Sequence, residues 1–398
     1  MNYMNRMLRT AILALAVALV ALLAVPVFGQ TTDISTWNGG TGFWNVSSEW
    51  MTNGQLGIVY PNNTASTVFN VIIDSGQQDI VTLSGPPAIT INSLTLDGNP
   101  TFSSTLAIGE NGGAAGMLTI GSDTSPALLT VGQLGNLDVN GSSELVLDIL
   151  SGNGAVINNG IINVGSASGE GRLGISDGGN AHQLILSGSG TVALSDNPNN
   201  LITGVTGTET LVNDVGETIS GAGTISNLAL VNNGTIIANG ANALNIEPNS
   251  GGFTNNGTLQ VNSGSPLAFN IAAGNATVTN NGAINLDSAS GTGSSLLIDD
   301  AGNMHQLTLS GTGVLTMQPS SLIHGVSGDG FLQNNSTIQG AGTISNLFLV
   351  NNGTIDANGT APLVIDSNPN TVPEFGLGAH NGTGFINGGT VEVSAGST

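Results

Sequence analysis

The chain has no cysteine and no lysine among its 398 residues. Without cysteine there are no disulfide cross-links and no thiolate metal sites, so stability must come from burial and hydrogen bonds. Arginine occurs three times, as Arg6, Arg9 and Arg172, and only Arg172 lies beyond the first 29 residues. From residue 30 onward, 25 acids face that one arginine, a balance of −24. A surface so poor in cations repels nucleic acid and anionic lipid headgroups. The acids read as solvent-facing turn residues, with cation binding as the sharper alternative. No 3.6-residue apolar stripe persists, and Gly, Asn, Thr and Ser dominate, so helix is disfavoured throughout.

Glycine is plentiful, at 60 residues, and 39% of the chain is hydrophobic against 7% charged. The apolar residues alternate with small polar ones, a periodicity that argues against disorder. The dominant feature is an internal repeat. Residues 221–240, GAGTISNLALVNNGTIIANG, recur as residues 340–359, GAGTISNLFLVNNGTIDANG, with two of twenty positions changed. The segment His182-Gln-Leu-Ile-Leu-Ser-Gly-Ser-Gly likewise recurs from His305, at an offset larger by four residues. That difference places a four-residue deletion between Leu194 and Gly221 when the second copy is compared with the first. Corners should absorb it more readily than stacked strands.

Within these copies a shorter element returns: NNGIINV at 158–164, NNGTIIA at 232–238, NNGTLQV at 255–261, NNGAINL at 280–286, NNGTIDA at 351–357 and NGGTVEV at 387–393. Its spacing near 24 residues matches one coil of a solenoid. Asn232-Asn233-Gly234 reads as a corner, on the ground that Gly and Asn tolerate positive φ. Alternating strands follow around Ile236 and around Leu244 and Ile246, with turns at 239–242 and 248–252. If coils stack in register, Asn233, Asn256 and Asn281 lie above one another as an amide ladder. Each strand is too short to bury its face alone, so neighbours must stack. The N-x-[ST] triplets at these corners read as turn chemistry.

The N-terminus carries Arg6 and Arg9, an apolar run from Ala11 to Leu23, and Val27-Phe28-Gly29 as a cleavage site. This is the pattern of an export signal over residues 1–29. The run is shorter than the ~20 residues of a membrane span, which leaves an uncleaved anchor as the second reading. Residues 30–100 hold Trp37, Trp44, Trp50 and Tyr60. Large aromatics at one end of a stacked-strand chain suggest a cap over the terminal strand; an aromatic platform for sugars is the rival reading. Residues 101–398 then form the repeat body, with two units of roughly 120 residues at about 158–279 and 280–398. The last residues, Glu392 to Thr398, carry no matching cap, which predicts a further domain or an open coil available for self-association.

The opening Trp37…Gly39-Gly40…Trp44…Trp50, with Val71-Ile-Ile-Asp and Ile91-Asn-Ser-Leu-Thr-Leu, resembles the start of bacterial secreted β-strand-repeat proteins. These include autotransporter-type passenger domains and adhesin-like surface proteins. The blocks beginning at Leu307, Ile338 and Asn352 resemble their body repeats. The resemblance implies a right-handed parallel β-helix and a place at or beyond the outer surface of a bacterial cell. No translocator barrel, sorting helix or anchor motif of that family is seen in the sequence.

Chemistry is sparse. A polysaccharide lyase usually needs a Lys or Arg beside clustered carboxylates, and only Arg172 is present. A hydrolase needs two carboxylates, for which Asp299-Asp300 and the echoed pairs Asp177…His182 and Asp300…His305 are the candidates. The echo favours a turn carboxylate and a strand-start histidine. His182, His305, His324 and His380 are too scattered for a metal motif, and Ser327-Gly-Asp-Gly330 is an isolated fragment of a calcium-repeat flavour. No catalytic, cofactor-binding or metal-ligating residue is therefore assigned, and no cofactor is expected. The expectation is an all-β, right-handed parallel β-helix with an N-terminal aromatic-rich cap. It would serve as a non-enzymatic extracellular or cell-surface structural and adhesive protein, with extracellular glycans or surface proteins as partners. A carbohydrate-binding or glycan-hydrolysing β-helix and a filament-forming matrix protein are the alternatives.

Overall fold

The computed structural model describes residues 30–109, 114–166, 169–289, 292–328, 330–368 and 384–394. The export signal read at 1–29, His380 and Asp329 lie outside the described residues.

One coil shows how the sequence builds the whole. Ala229–Asn232, Thr235–Ala238 and Leu244–Ile246 form three short strands separated by corners. Each alternates buried with half-buried residues, as a strand with one face on a core must. The next coil repeats this with Phe253–Asn255, Thr258–Val261 and Pro266–Asn270. Stacking the coils gives three sheets of 16, 14 and 12 strands. Chain order within each sheet advances one coil at a time, so the fold is a three-sided parallel β-helix. Among the described residues helix is confined to one 3₁₀ turn, Ser47–Glu49.

Register is held by like residues sitting on like. On the second face Leu137, Ile162, Val192, Ile219, Ile236, Leu259, Ile284, Leu315, Ile338 and Ile355 pair consecutively from coil to coil. All ten are essentially inaccessible to solvent. A single core cluster runs from Trp37 to Ile355. Each such side chain contributes roughly 1.5–3 kcal/mol by leaving water. The 14 strands of the second face, at about 4.8 Å per step, make a rod of roughly 60–65 Å.

The N-terminal end is closed by a change of strand direction. Thr31–Trp37 pairs in parallel with Thr67–Ile73 on one edge. On its other edge it pairs antiparallel with Trp50–Thr52, which pairs in turn with Gln55–Leu56. Trp37, Trp44 and Trp50 fill the end of the core, with exposures of 3%, 0% and 0%. Trp50 meets Trp37 and Trp44 edge-on at 5.0 and 4.8 Å. The tryptophans are thus a plug and present no platform to solvent.

One expectation is corrected in its cause. The NNG corners are not left-handed: Gly234, Gly257 and Gly282 have no positive φ. A Cβ on Gly257 would collide with the carbonyl of Gly234, and one on Gly282 with that of Gly257. The glycines are there because coils approach too closely for a side chain. Positive φ is used instead at the Gly-Ala-Gly corner, at Gly221 (119°) and Gly223 (136°).

The deletion between the copies also resolves into parts. The first copy has six residues, 195–200, between Thr191–Leu194 and Leu201–Gly204; the second has four, 318–321, between Val314–Met317 and Leu322–Gly325. The first copy has four residues, 214–217, between Thr210–Asn213 and Thr218–Gly221; the second has two, 335–336, between Phe331–Asn334 and Thr337–Gly340. Both losses fall in corners, and the strands that flank them keep their length of four residues.

Candidate functional site

The extra residues at 195–200 raise one wall of a groove of about 620 Å³ on the third face. Its floor is a row of outward residues from successive coils: Glu144, Arg172, Leu201 and Thr224 pair in sequence. Pro198, Asn199 and Asn200 stand along one side, and Glu247 lies at the far end. Strand alternation fixes the direction of each floor residue, because Leu145, Leu173, Ile202 and Ile225 between them point into the core.

The wall is rigid. Asn200 is buried; its Nδ2 donates to the carbonyl and the hydroxyl of Ser195 at 2.9 and 2.8 Å, and its Oδ1 accepts from the Gly171 amide at 3.2 Å. Arg172 Nε is 3.0 Å from Glu144 Oε1, with side-chain exposures of 44% and 27%. A pair this open contributes about 0–1 kcal/mol to stability, so the fold gains little from it. Both side chains belong to residues that line the groove. Glu170 adds a second acid nearby and accepts from Ser142 Oγ at 3.3 Å. Burial pushes the Glu247 carboxyl above its usual range, partly offset by a hydrogen bond from Asn270 Nδ2 at 2.9 Å.

Glu144 and Glu247 lie four coils apart, about 19 Å at the strand spacing. Two-carboxylate glycoside hydrolysis requires ~5–9.5 Å. Among the described residues no group of three or more His, Asp or Glu side chains is placed to hold a metal ion.

The residues singled out in the sequence lie elsewhere. Asp177 and Asp300 are buried turn carboxylates at the corner before the first face. Asp177 accepts from the Gly179 and His182 amides at 2.7 and 3.2 Å and from the hydroxyls of Thr206 and Thr208 at 2.7 and 2.9 Å. Burial pushes its carboxyl up, but these hydrogen bonds outweigh it and hold the group below its usual range. Asp300 accepts from the Gly302 amide and from Ser327 Oγ. Asp299 accepts from the Ala301 amide at 3.1 Å. The rings of His182 and His305 each bond through Nδ1 to a carbonyl of the coil below, Ile149 at 2.7 Å and Ile271 at 2.8 Å. His324 Nδ1 meets Ser345 Oγ at 3.1 Å. The echoed Asp…His pairs therefore serve the same corner in both repeats.

The asparagine row read at the corners is formed: Asn256 Nδ2 donates to Asn233 at 2.9 Å, and Asn281 Nδ2 to Asn256 at 3.0 Å, on the exposed side. A second row, one residue earlier, is buried. Asn213 donates to Asn232, Asn232 to Asn255 and Asn255 to Asn280, at 2.7, 2.7 and 2.8 Å. Asn334, Asn351 and Asn387 repeat the pattern at 2.8 Å per step.

The groove was not apparent from residue types. Its one sequence signal is that Arg172, the sole arginine after residue 29, lies in the copy with the longer corners. Comparison with protein-family models, curated proteins and solved structures finds no match for this chain.

Proposed function

We propose that the protein is a non-enzymatic, exported rod that acts at or beyond the cell surface as a structural and adhesive element. The observation that carries this reading is asymmetry on a uniform scaffold. Two related repeats share one core and one register, the longer corner of the first walls a groove, and that groove holds the one arginine found after residue 29. A continuous dry interior makes a stiff support on which corners vary without disturbing the stack. The groove supplies Arg172 donors and the Glu144, Glu170 and Glu247 acceptors to a polar surface ligand, an extracellular glycan or a surface protein. No helix among the described residues is long and apolar enough to cross a membrane.

The test uses the chain from residue 30 onward, labelled and applied to a glycan array and to bacterial cell surfaces, with a reducing-sugar assay alongside. Saturable binding without sugar release is expected, with at least tenfold weaker binding for Arg172→Glu. Release of reducing ends above the protein-free control would overturn the non-enzymatic reading. Binding unchanged by Arg172→Glu would remove the groove from it.

A further inference from the structure

The rod's charges are unevenly shared among its three faces. Thirteen successive strands of the first face, from Thr67–Ile73 to Phe385–Asn387, contain no charged residue. The second face carries Asp138, Asp356 and Glu392 on its outer side. The third carries Glu144, Asp148, Asp299 and Asp366 beside Arg172. Acids near the first face, such as Asp123 and Asp214, sit in its flanking corners. One face of a chain with a balance of −24 after residue 29 thus has no charge to desolvate or to repel.

The same face bears an apolar ladder on its outer side. Leu128, Ala155, Ile185, Val212 and Val231 pair consecutively from coil to coil. They point outward because their strand neighbours Leu129, Val156, Leu186, Leu211 and Leu230 point into the core. Ile157 stands two residues beyond Ala155, on the same side. Leu128 and Ile157 are 45% and 41% exposed. A contiguous apolar stripe about 19 Å long at the strand spacing is the kind of exposed patch that marks an interaction site.

The occupant follows from what the face lacks. It has no charge to attract an oppositely charged partner and no basic side chain for anionic lipid headgroups. Between Ser93 and Ser310 its strands present no outward aromatic ring on which a sugar could lie. The surface that does match it is the same face of a second copy, equally uncharged and repeating at the same ~4.8 Å. Nine strands of this face run from Ser93–Leu96 to Gln306–Ser310. They cover about 38 Å by about 13 Å, roughly 500 Å² per copy and 1,000 Å² in all, which reaches the lower bound of a specific interface. Because the other two faces are acidic, pairing closes at two copies, as an isologous contact does. We infer that two copies of this chain pair laterally, first face to first face, through the ladder from Leu128 to Val231.

The Arg172 groove lies on the third face, so this pairing and the ligand binding proposed above fail separately. The experiment is sedimentation velocity on the chain from residue 30 onward, between about 1 and 300 µM. A reversible monomer–dimer equilibrium is expected, with a Kd on the order of 10–100 µM for an interface of this size. Raising NaCl from ~0.05 to ~0.5 M should tighten it, because screening relieves the repulsion between the acidic faces. Leu128→Glu and Ile157→Glu each put a carboxylate on the ladder from an exposed position. Each should weaken dimerisation about tenfold or more at an unchanged melting midpoint. Ile161→Glu, at a residue 46% exposed on the second face, should leave dimerisation unchanged. A chain that is monomeric at every concentration would overturn the inference and assign the face to a different macromolecule. So would a dimer that both first-face variants leave intact, which would put the contact elsewhere on the rod, a dimer dispersed by salt, or one that Ile161→Glu weakens as much.

Discussion

Asn158 Nδ2 donates to Glu217 Oε1 at 2.7 Å across 59 residues of sequence, reaching past an entire intervening coil. It can do so because that coil turns at Gly188 and Gly190: a Cβ on Gly190 would lie 2.6 Å from the Asn158 amide. Glu217 belongs to the longer corner of the first repeat. In the second repeat Ser336 takes its place and donates to the Gly313 carbonyl at 2.9 Å, and Asn280, the counterpart of Asn158, keeps a buried Nδ2 with no partner among the described residues.

Glu217 makes the rod's stability depend on pH near neutrality. Burial pushes its carboxyl up to about 7, against opposing hydrogen bonds from Asn158 and the Gly190 amide. Because the folded value exceeds the unfolded one, the folded state holds the proton more tightly. Its contribution is complete below about pH 4.5, declines as pH rises to about 7 and is flat above. The decline is at most about 3 kcal/mol at ~1.4 kcal/mol per pH unit. Glu217→Gln keeps an acceptor for Asn158 and removes the charge. Urea midpoints between pH 4.5 and 8 should fall for the native chain and stay level for the variant; parallel curves would refute the assignment.

Asp177 acts with the opposite sign. Its carboxyl is held below the usual range, so its contribution is present above about pH 4 and is lost as pH falls through the folded value. Asp177→Ala removes the acceptor for two amides and two hydroxyls at one buried corner. A loss of about 2–3 kcal/mol near pH 6 is expected, together with a shallower acid limb in the denaturation profile. An unchanged acid limb would show that other carboxylates govern it.

The two asparagine rows should differ sharply in energy. Asn232→Ala deletes the acceptor of Asn213 Nδ2 and the donor to Asn255 Oδ1 and the Thr258 carbonyl, all within the buried row. About 2–3 kcal/mol is expected. Asn256→Ala removes only exposed bonds, for about 0.5 kcal/mol or less. Chemical denaturation of both variants gives the comparison, and equal losses would contradict a buried ladder.

The buried row also shows where sequence reading stops. The NNG repeat marked the corners and the strands after them, and the row Asn233, Asn256, Asn281 followed from stacking. The same repeat places the first asparagine in the turn, because it carries no mark of the strand that precedes each corner. Yet Leu230 and Asn232 stand two apart, as do Phe253 and Asn255, and strand alternation sends both members of each pair inward. The polar residue at an inward position was the available signal. The groove had no such signal, because Glu144, Arg172 and Glu247 are distant in sequence and meet only through coil stacking. The cap could be inferred from aromatic placement, whereas the antiparallel turn that closes it depends on pairings between Thr31–Trp37 and Trp50–Thr52 that no periodicity announces.

The tryptophan plug should behave as a local closure. Trp44 is inaccessible to solvent, donates to the Pro61 carbonyl and accepts through its own carbonyl from the Trp50 indole at 2.7 Å. Trp44→Ala empties a site worth about 3–5 kcal/mol. In a stacked array each coil feels only its neighbours, so the damage should stay near the end where it is made. Hydrogen exchange should quicken through Thr31–Trp37, Thr67–Ile73 and the strands just above them. Protection in coils beyond Leu128–Val131 should be retained, because their inward columns and asparagine rows are intact. Exchange that quickens evenly along all three faces would mean that the stack folds as one cooperative unit, with the plug as its nucleus.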